Sequence, residues 1–339
     1  DDDDEDDDDD HDGCCYADSR TGRYPNEPED DSSFEIDLDS IRTFVTDQVN
    51  TVVNTVSKLG GEIGKKFSES RGERSGDEED QETRRIRINL LSSSIYIKFE
   101  DVRDFEIHVS NPSTDEPMKL PERFEVVRNG ESIRISEKGR EFMGIPFGLG
   151  DHESVHIDLV CPNQEPYRLL RVNTMSGSIE ARSVKAQQIQ LSTLSGSISL
   201  EDSHPETLFL NSVSGEIELD NAGAPQTKIS SVSGSVKCFA RDVKISNLNA
   251  KSVSGSLQIE VGSLLNNSKL SAVSGSIRFV SPRMSDQNFR VSTVSGHIQT
   301  PLGESVKDKR NKQYLDGVTD TSLAISTVSG RIRLEDNGA

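Results

Sequence analysis

The sequence predicts an all-β fold: a single-stranded parallel β-solenoid, a right-handed β-helix with about 20 residues per coil. An amphipathic α-helix and a disordered acidic tail are predicted to precede it. Three observations carry the prediction. A Thr/Ser-Val-Ser-Gly-like tetrapeptide recurs eight times, with its glycines at Gly177, Gly196, Gly215, Gly234, Gly255, Gly275, Gly296 and Gly330. Apolar residues keep fixed offsets from each glycine. Short turns of polar residues separate the units. A fixed period near 20 with one glycine per period marks a stacked repeat, whose units bury apolar faces only against their neighbours.

Residues 1–31 form the tail. Residues 1–40 hold 19 Asp and Glu against Arg20 and Arg23, so most of the net charge of −21 sits there and the other 299 residues carry only −4. A block of like charge repels itself and stays disordered. The chain opens without Met, which leads us to expect an upstream segment such as a signal peptide or anchor. No apolar run reaches the roughly 18 residues of a membrane span.

Residues 32–67 are the helix. Val45, Val49, Val52, Val56, Leu59 and Ile63 fall on one face of a 3.6-residue period. Ser32-x-x-Glu35 supplies a capping box, and Gly60-Gly61 weakens the end. Asp47, Gln48, Asn50 and Asn54 on the polar face, in place of a Lys/Arg row, favour packing on the body or self-association over a membrane. Residues 68–83 read as a charged linker. Residues 84–165 are an irregular β region forming the first coils. Its strands are expected near 84–90, 94–99, 104–109, 122–128, 131–136 and 154–161, with Asn129-Gly130 as a hairpin turn.

Residues 166–339 are the regular solenoid of eight Ser-Gly repeats. Counting from each glycine, positions −7 and −5 are mostly apolar (Leu170 and Val172, Ile189 and Leu191, Leu208 and Leu210). Position −3 is small, position −2 is Met, Leu or Val, and positions +2 and +4 are apolar. Alternation of this kind puts one face of a strand inside. The inward set is then −7, −5, −3, followed by −2, 0, +2 and +4. A phase slip between −3 and −2 requires a bend, so each unit is two strands meeting at a corner. The glycine faces inward there, for lack of space or for its dihedrals. Eight coils at about 4.8 Å would run roughly 38 Å, and chirality favours a right-handed path. An antiparallel sandwich of successive hairpins fits the period as well. A propeller needs about 40 residues per blade, twice this spacing.

The Val-Ser-Gly-Ser-Ile units, with the lead-in Ser154-Val-His-Ile-Asp-Leu-Val-Cys-Pro162 and Leu169-Leu-Arg-Val-Asn-Thr-Met-Ser-Gly177, resemble the bacterial "putative adhesin" family, a domain of unknown function. The resemblance covers about residues 84–335. It implies a β-helical fold and an association with cell surfaces, and brings no catalytic residues.

Candidate chemistry is sparse. Asp8-x-Asp10-x-Asp12-Gly13 has the alternate carboxylates and sixth-position glycine of a calcium loop, but its twelfth position is Ser19. Any run of Asp supplies that spacing, so Asp8, Asp10 and Asp12 are a candidate calcium site and no other cofactor is expected. Adjacent Cys14 and Cys15 suit neither zinc nor an ordinary disulfide, whereas Cys161 and Cys238 fall at inward positions. His152 and His156, among Asp151, Glu153 and Asp158, lie about 13 Å apart on a strand, too far for one metal. The recurring serines lack a nucleophile elbow and a partner His or Asp. They read as corner residues bonding locally. A β-helical polysaccharide-active enzyme is the catalytic alternative, and the absence of Trp argues against it.

Two departures from regularity bear on partners. The last interval is 34 residues, and its insertion carries Lys307, Lys309, Arg310 and Lys312, a candidate partner-binding loop. We expect it to contact an acidic tail. Outward positions +1 and +3 turn from acidic (Glu180, Glu216, Glu218) to basic (Lys237, Arg278, Arg331, Arg333), and the last strand stops just before Ala339. That suggests an uncapped edge able to stack end to end. The expected activity is a non-enzymatic scaffold for protein or cell-envelope contacts, with a self-assembling filament as the alternative. The partner is another protein, a second copy or a cell surface. The body shows too few stacking aromatics and no large basic surface for nucleic acid.

Overall fold

The structure, a computed structural model, describes residues 84–138, 141–142, 145–146, 154–263, 265–282, 284–301, 306–307, 312–315 and 322–337. All of them fall in one compact unit, Leu38–Ala339. The expected tail, helix and linker lie outside the described residues. The described fold is all-β, with a single 3-10 turn at Met284–Asp286.

Each repeat contributes one strand to each of two sheets, and like strands stack in parallel. The Gly196 coil is Ala186–Thr193, a corner and Ile198–Glu201; the Gly215 coil is Thr207–Ser212, a corner and Ile217–Asp220. Register follows the motif: Ile189 pairs with Leu208, Leu191 with Leu210 and Ile198 with Ile217. The 13-stranded and 11-stranded sheets thus enclose one core made of positions −7, −5, +2 and +4, nearly all fully buried. The strands of the 84–165 region appear at Arg85–Leu90, Ser94–Glu100, Glu106–Ser110, Phe124–Asn129, Ser132–Glu137 and His156–Pro162. Gly130, with φ at +55°, turns the Asn129–Ser132 hairpin.

The corner differs in one respect from the sequence reading. Position −2 is not inside: Met175, Leu194, Val213 and Val232 are half-exposed, and Val294 is 54% exposed. Positions −3 and 0 face inward, while −2 and −1 both face out. The chain therefore spends two residues, not one, on the bend. Ser or Thr at −3 closes it in most coils: Thr174 Oγ1 accepts from the Gly177 amide at 3.0 Å, and Thr193 Oγ1 from Gly196 at 2.9 Å. Ser212 and Ser231 instead donate to the carbonyls of Gly215 and Gly234 at 2.8 and 2.7 Å. Each such bond is worth about 1 kcal/mol net, and an unpaired buried hydroxyl would cost more.

The ends of the stack run out of sequence order. The first strand pair of the chain, around Ser93, lies between the Gly177 coil and the pair Ser132–Glu137/His156–Pro162. At the far end, the coil around Gly330 is slotted between those of Gly275 and Gly296. The 34-residue interval is thus an excursion. After Ile298–Gln299 the chain adds Lys312–Leu315 antiparallel to Asn288–Thr293, pairs it with Val306–Lys307, then returns to fill the slot. The expected bare terminal edge is corrected: the last strand, Ile332–Asp336, is flanked on both sides. At the opposite end Phe124–Asn129 and Glu106–Ser110 close the two sheets in antiparallel fashion. Reversed strands form two of the four sheet edges, and near a third the reversed strand Lys312–Leu315 interrupts the stack, which breaks the parallel template for another coil at those places.

Candidate functional site

The two sheets share a core but present different outward faces. Along the 13-stranded sheet, ten strands are parallel, and their outward side chains stand at positions −8, −6 and −4. Position −6 forms a continuous row confirmed strand by strand: Arg134, Arg87, Arg171, Gln190, Phe209, Lys228, Asn249, Lys269, Ala324, Arg290. Six of the ten are cations. Position −4 runs Ser136, Asn89, Asn173, Ser192, Asn211, Ser230, Lys251, Ser271, Ser326, Ser292. Position −8 adds Arg85, and otherwise Ser, Thr, Asn or Gln apart from Leu169. No carboxylate occupies any of these positions, nor the −2 and −1 rows at the corner beside them. Beyond residue 40 the chain holds 40 Asp and Glu against 36 Lys and Arg, so a face with cations and no carboxylate is a segregation of charge.

Side chains on this face bond along the axis through amides: Asn173 donates to Asn89 at 3.0 Å, and Arg171 to Gln190 at 2.8 Å. Carboxylates return at its margins, where Glu131 and Glu165 hold Arg84 at 3.0 and 3.4 Å. Glu125 stands on the antiparallel edge strand. Lys228 and Lys269 are exposed, and no carboxylate among the described residues pairs with them. Arg134, Arg87 and Arg171 stand on three successive strands, a like-charge stack that costs stability in itself.

The outward face of the 11-stranded sheet is built on ion pairs. Lys237 meets Glu216 at 2.8 Å, Arg278 meets Glu335 at 2.5 Å, and Arg182 meets Glu201, each across coils. The carboxylate partners raise the pKa values of Lys237, Arg182 and Arg278 through a hydrogen bond and Coulomb attraction, and the Arg278 guanidinium lowers that of Glu335. Exposed pairs of this kind contribute little to stability. Their effect is to leave this face nearly self-neutralised.

Asp8, Asp10, Asp12, Lys309 and Arg310 lie outside the described residues. Lys307 and Lys312 sit on the two edge strands beyond the Gly296 coil. His156 is within 3.1 Å of Asp158, and His152 is not described. Among the described residues, no three of His, Cys, Asp and Glu gather where a metal could bind, and no helix is long and apolar enough to cross a membrane. Cys161 and Cys238 are buried free thiols whose pKa values desolvation raises, that of Cys238 to about 12. The +1 and +3 positions taken alone do not reveal this face. Reading −8, −6 and −4 down the aligned repeats would have found it.

One family model, Toastrack DUF4097, matches residues 83–335. The chain belongs to the Toastrack DUF4097 family. Two solved structures are similar to this Toastrack chain. A putative cell adhesion protein from Clostridium sporogenes is 10% identical, with 75% of this chain and 94% of that chain covered and a TM-score of 0.27. A putative adhesin from Bacteroides fragilis is 12% identical, with 74% and 92% covered and a TM-score of 0.33. No curated protein matches the chain.

Proposed function

We propose that this Toastrack chain is a non-enzymatic scaffold that binds an envelope component or a protein partner through a sheet face, at or outside the cell surface. One observation supports the reading: the outward face of the 13-stranded sheet carries cations without carboxylates, while the opposite face neutralises itself. A surface set only by the fold has no reason to sort its charges by sheet, since both sheets obey the same inward pattern. Ten parallel strands at about 4.8 Å give it a length of roughly 43 Å, an extended surface and not a cleft. The finer features of the reading are a right-handed path of about 20 residues per coil, the tail, helix and linker in front, a calcium affinity at Asp8, Asp10 and Asp12, and contacts from Lys307, Lys309, Arg310 and Lys312.

The test is retention on isolated bacterial envelopes. The full chain is expected to co-sediment with them, and Lys228→Glu with Lys269→Glu to lose most of that retention while keeping the wild-type circular dichroism spectrum. Equal retention of wild type and double variant would overturn the proposal.

A further inference from the structure

We propose that the outward face of the 13-stranded sheet binds an extended anionic polysaccharide laid along the coil axis. This rests on the scaffold reading above and names its ligand.

The charge spacing is the first argument. Lys228, Lys269 and Arg290 stand on every second strand of the row. At about 4.8 Å per strand, that row carries one cation every roughly 10 Å, and Lys251 on the Asn249 strand brings the spacing between Lys228 and Lys269 to roughly 5 Å. Double-stranded nucleic acid carries a charge every ~1.7 Å, so the row is far too sparse to match it. A single strand needs aromatic platforms for its bases, and Phe209 is the one aromatic in the outward rows of the ten parallel strands. A polymer with charges on some sugars and hydroxyls on all of them has the sparser pattern.

The residues between the cations are the second argument. Asn, Gln, Ser and Thr fill most of the remaining positions. Their amides and hydroxyls offer donors and acceptors together, which hydroxylated sugars require and a run of carboxylates does not. An anionic membrane would call for apolar side chains to insert, but in the outward rows Leu169 is buried and Phe209 and Ala324 are four strands apart, while the apolar −2 residues stand at the corner on the margin, partly buried except for Val294. An acidic peptide docks on a sheet chiefly by pairing with an edge strand, and a face offers it no main-chain bonds. At the Ser93 end, Arg134, Arg87 and Arg171 on successive strands form the densest positive site.

Calorimetric titration of the full chain with polygalacturonate tests the assignment, with dextran, polyglutamate, phosphatidylserine vesicles and oligo-dT as the other probes. Polygalacturonate is expected to bind and dextran not to. Affinity is expected to fall as salt is raised, at least tenfold in Lys228→Gln with Lys269→Gln, and to stay unchanged in Arg182→Gln on the opposite face. No binding of polygalacturonate, or an equal loss in the Arg182 variant, overturns the proposal. So does preferential binding of polyglutamate, vesicles or oligo-dT that the lysine variant removes. That last result, together with charge-dependent envelope retention, leaves the scaffold reading standing and rejects only the glycan. Retention that ignores the charge reversal rejects the scaffold itself.

Discussion

In the Gly215 coil and in the Ser93 coil the chain turns the same corner with different residues. A Cβ on Gly215 would lie 1.7 Å from the Gly196 carbonyl oxygen, and the contact recurs at every interior step, from Gly177 on Ser93 to Gly296 on Gly330. None of these corner glycines has a positive φ. The glycine is therefore demanded by the neighbouring coil and not by the bend. Ser93, at the equivalent position, carries a side chain, whose hydroxyl lies 3.1 Å from the Glu137 carboxylate. There the strand Ser132–Glu137 supplies a carboxylate instead. Glu137, 3% exposed, accepts from the amides of Leu91 and Ser92 at 2.8 and 3.2 Å and from the hydroxyl of Ser93 at 3.1 Å, and it pairs with Arg123 at 3.0 Å. In interior coils the corresponding amides donate to the backbone, as Val213 does to Thr193 and Ser214 to Leu194. One side chain thus accepts the bonds that corner backbone accepts in the interior coils.

The comparison breaks most visibly at its interior half. Gly215→Ala drives a Cβ into backbone that has no flexible end to yield, and is expected to cost about 5 kcal/mol or more, or to prevent folding. Ser93→Ala, at the same place in the repeat, removes only a hydroxyl and is expected to cost about 1 kcal/mol. Urea denaturation of the two variants measures the contrast; similar losses would show that the bend, and not the stacked carbonyl, selects glycine.

A smaller effect is expected at the carboxylate. Glu137→Ala leaves two corner amides and Arg123 without their acceptor in a buried setting, a loss of about 3 kcal/mol. Hydrogen exchange should place the damage at the Leu91 and Ser92 amides, with the Gly234 coil unchanged, because a stacked repeat transmits strain mainly to its neighbours. Uniform loss of protection along the stack would contradict that.

The interior was legible in the sequence and the ends were not, for the same reason. Eight copies of one motif report the environment that every interior coil shares, so Leu208, Leu210 and Ile217 could be placed inside from spacing alone. The Ser93 corner, Leu90-Leu91-Ser92-Ser93, escaped the alignment because its glycine is replaced, and the replacement is intelligible only with Glu137 beside it. The slotting of the Gly330 coil between Gly275 and Gly296 is a long-range pairing that no local pattern encodes. The −2 row misled for a different reason: Val213 and Val232 are apolar at a half-exposed corner, where a pleated surface favours branched side chains without burying them. The cationic face was open to the same spacing argument, read on the outward rows.

The two buried thiols carry the comparison into pH. Cys238 sits in the interior, between Leu219 and Ile259 in register, and Cys161 in the outermost pair opposite Phe99. Both are buried among apolar groups, so desolvation disfavours the thiolate; the Cys238 pKa is pushed up to about 12, from about 8.5 for an open chain. Neutral thiols in both states leave stability untouched below that lower value. Above it the unfolded chain releases a proton that the folded one retains, so stability is lost as pH rises toward 12, by roughly tenfold in the folding equilibrium per pH unit per thiol. Cys238→Val, which suits a row already holding Leu219 and Ile259, is expected to change neutral stability by less than about 1.5 kcal/mol and to flatten the alkaline limb. Cys161→Val should flatten it less if the end pair opens locally before the stack unfolds, because a thiol exposed by fraying titrates near its open-chain value without drawing on global stability. Denaturation midpoints of the two variants from pH 7 to about 10.5, a range that spans the open-chain thiol value, measure the difference. Equal flattening would mean that the end pair and the interior open as one unit, and that the Glu137 corner is as firm as the glycine ladder it replaces.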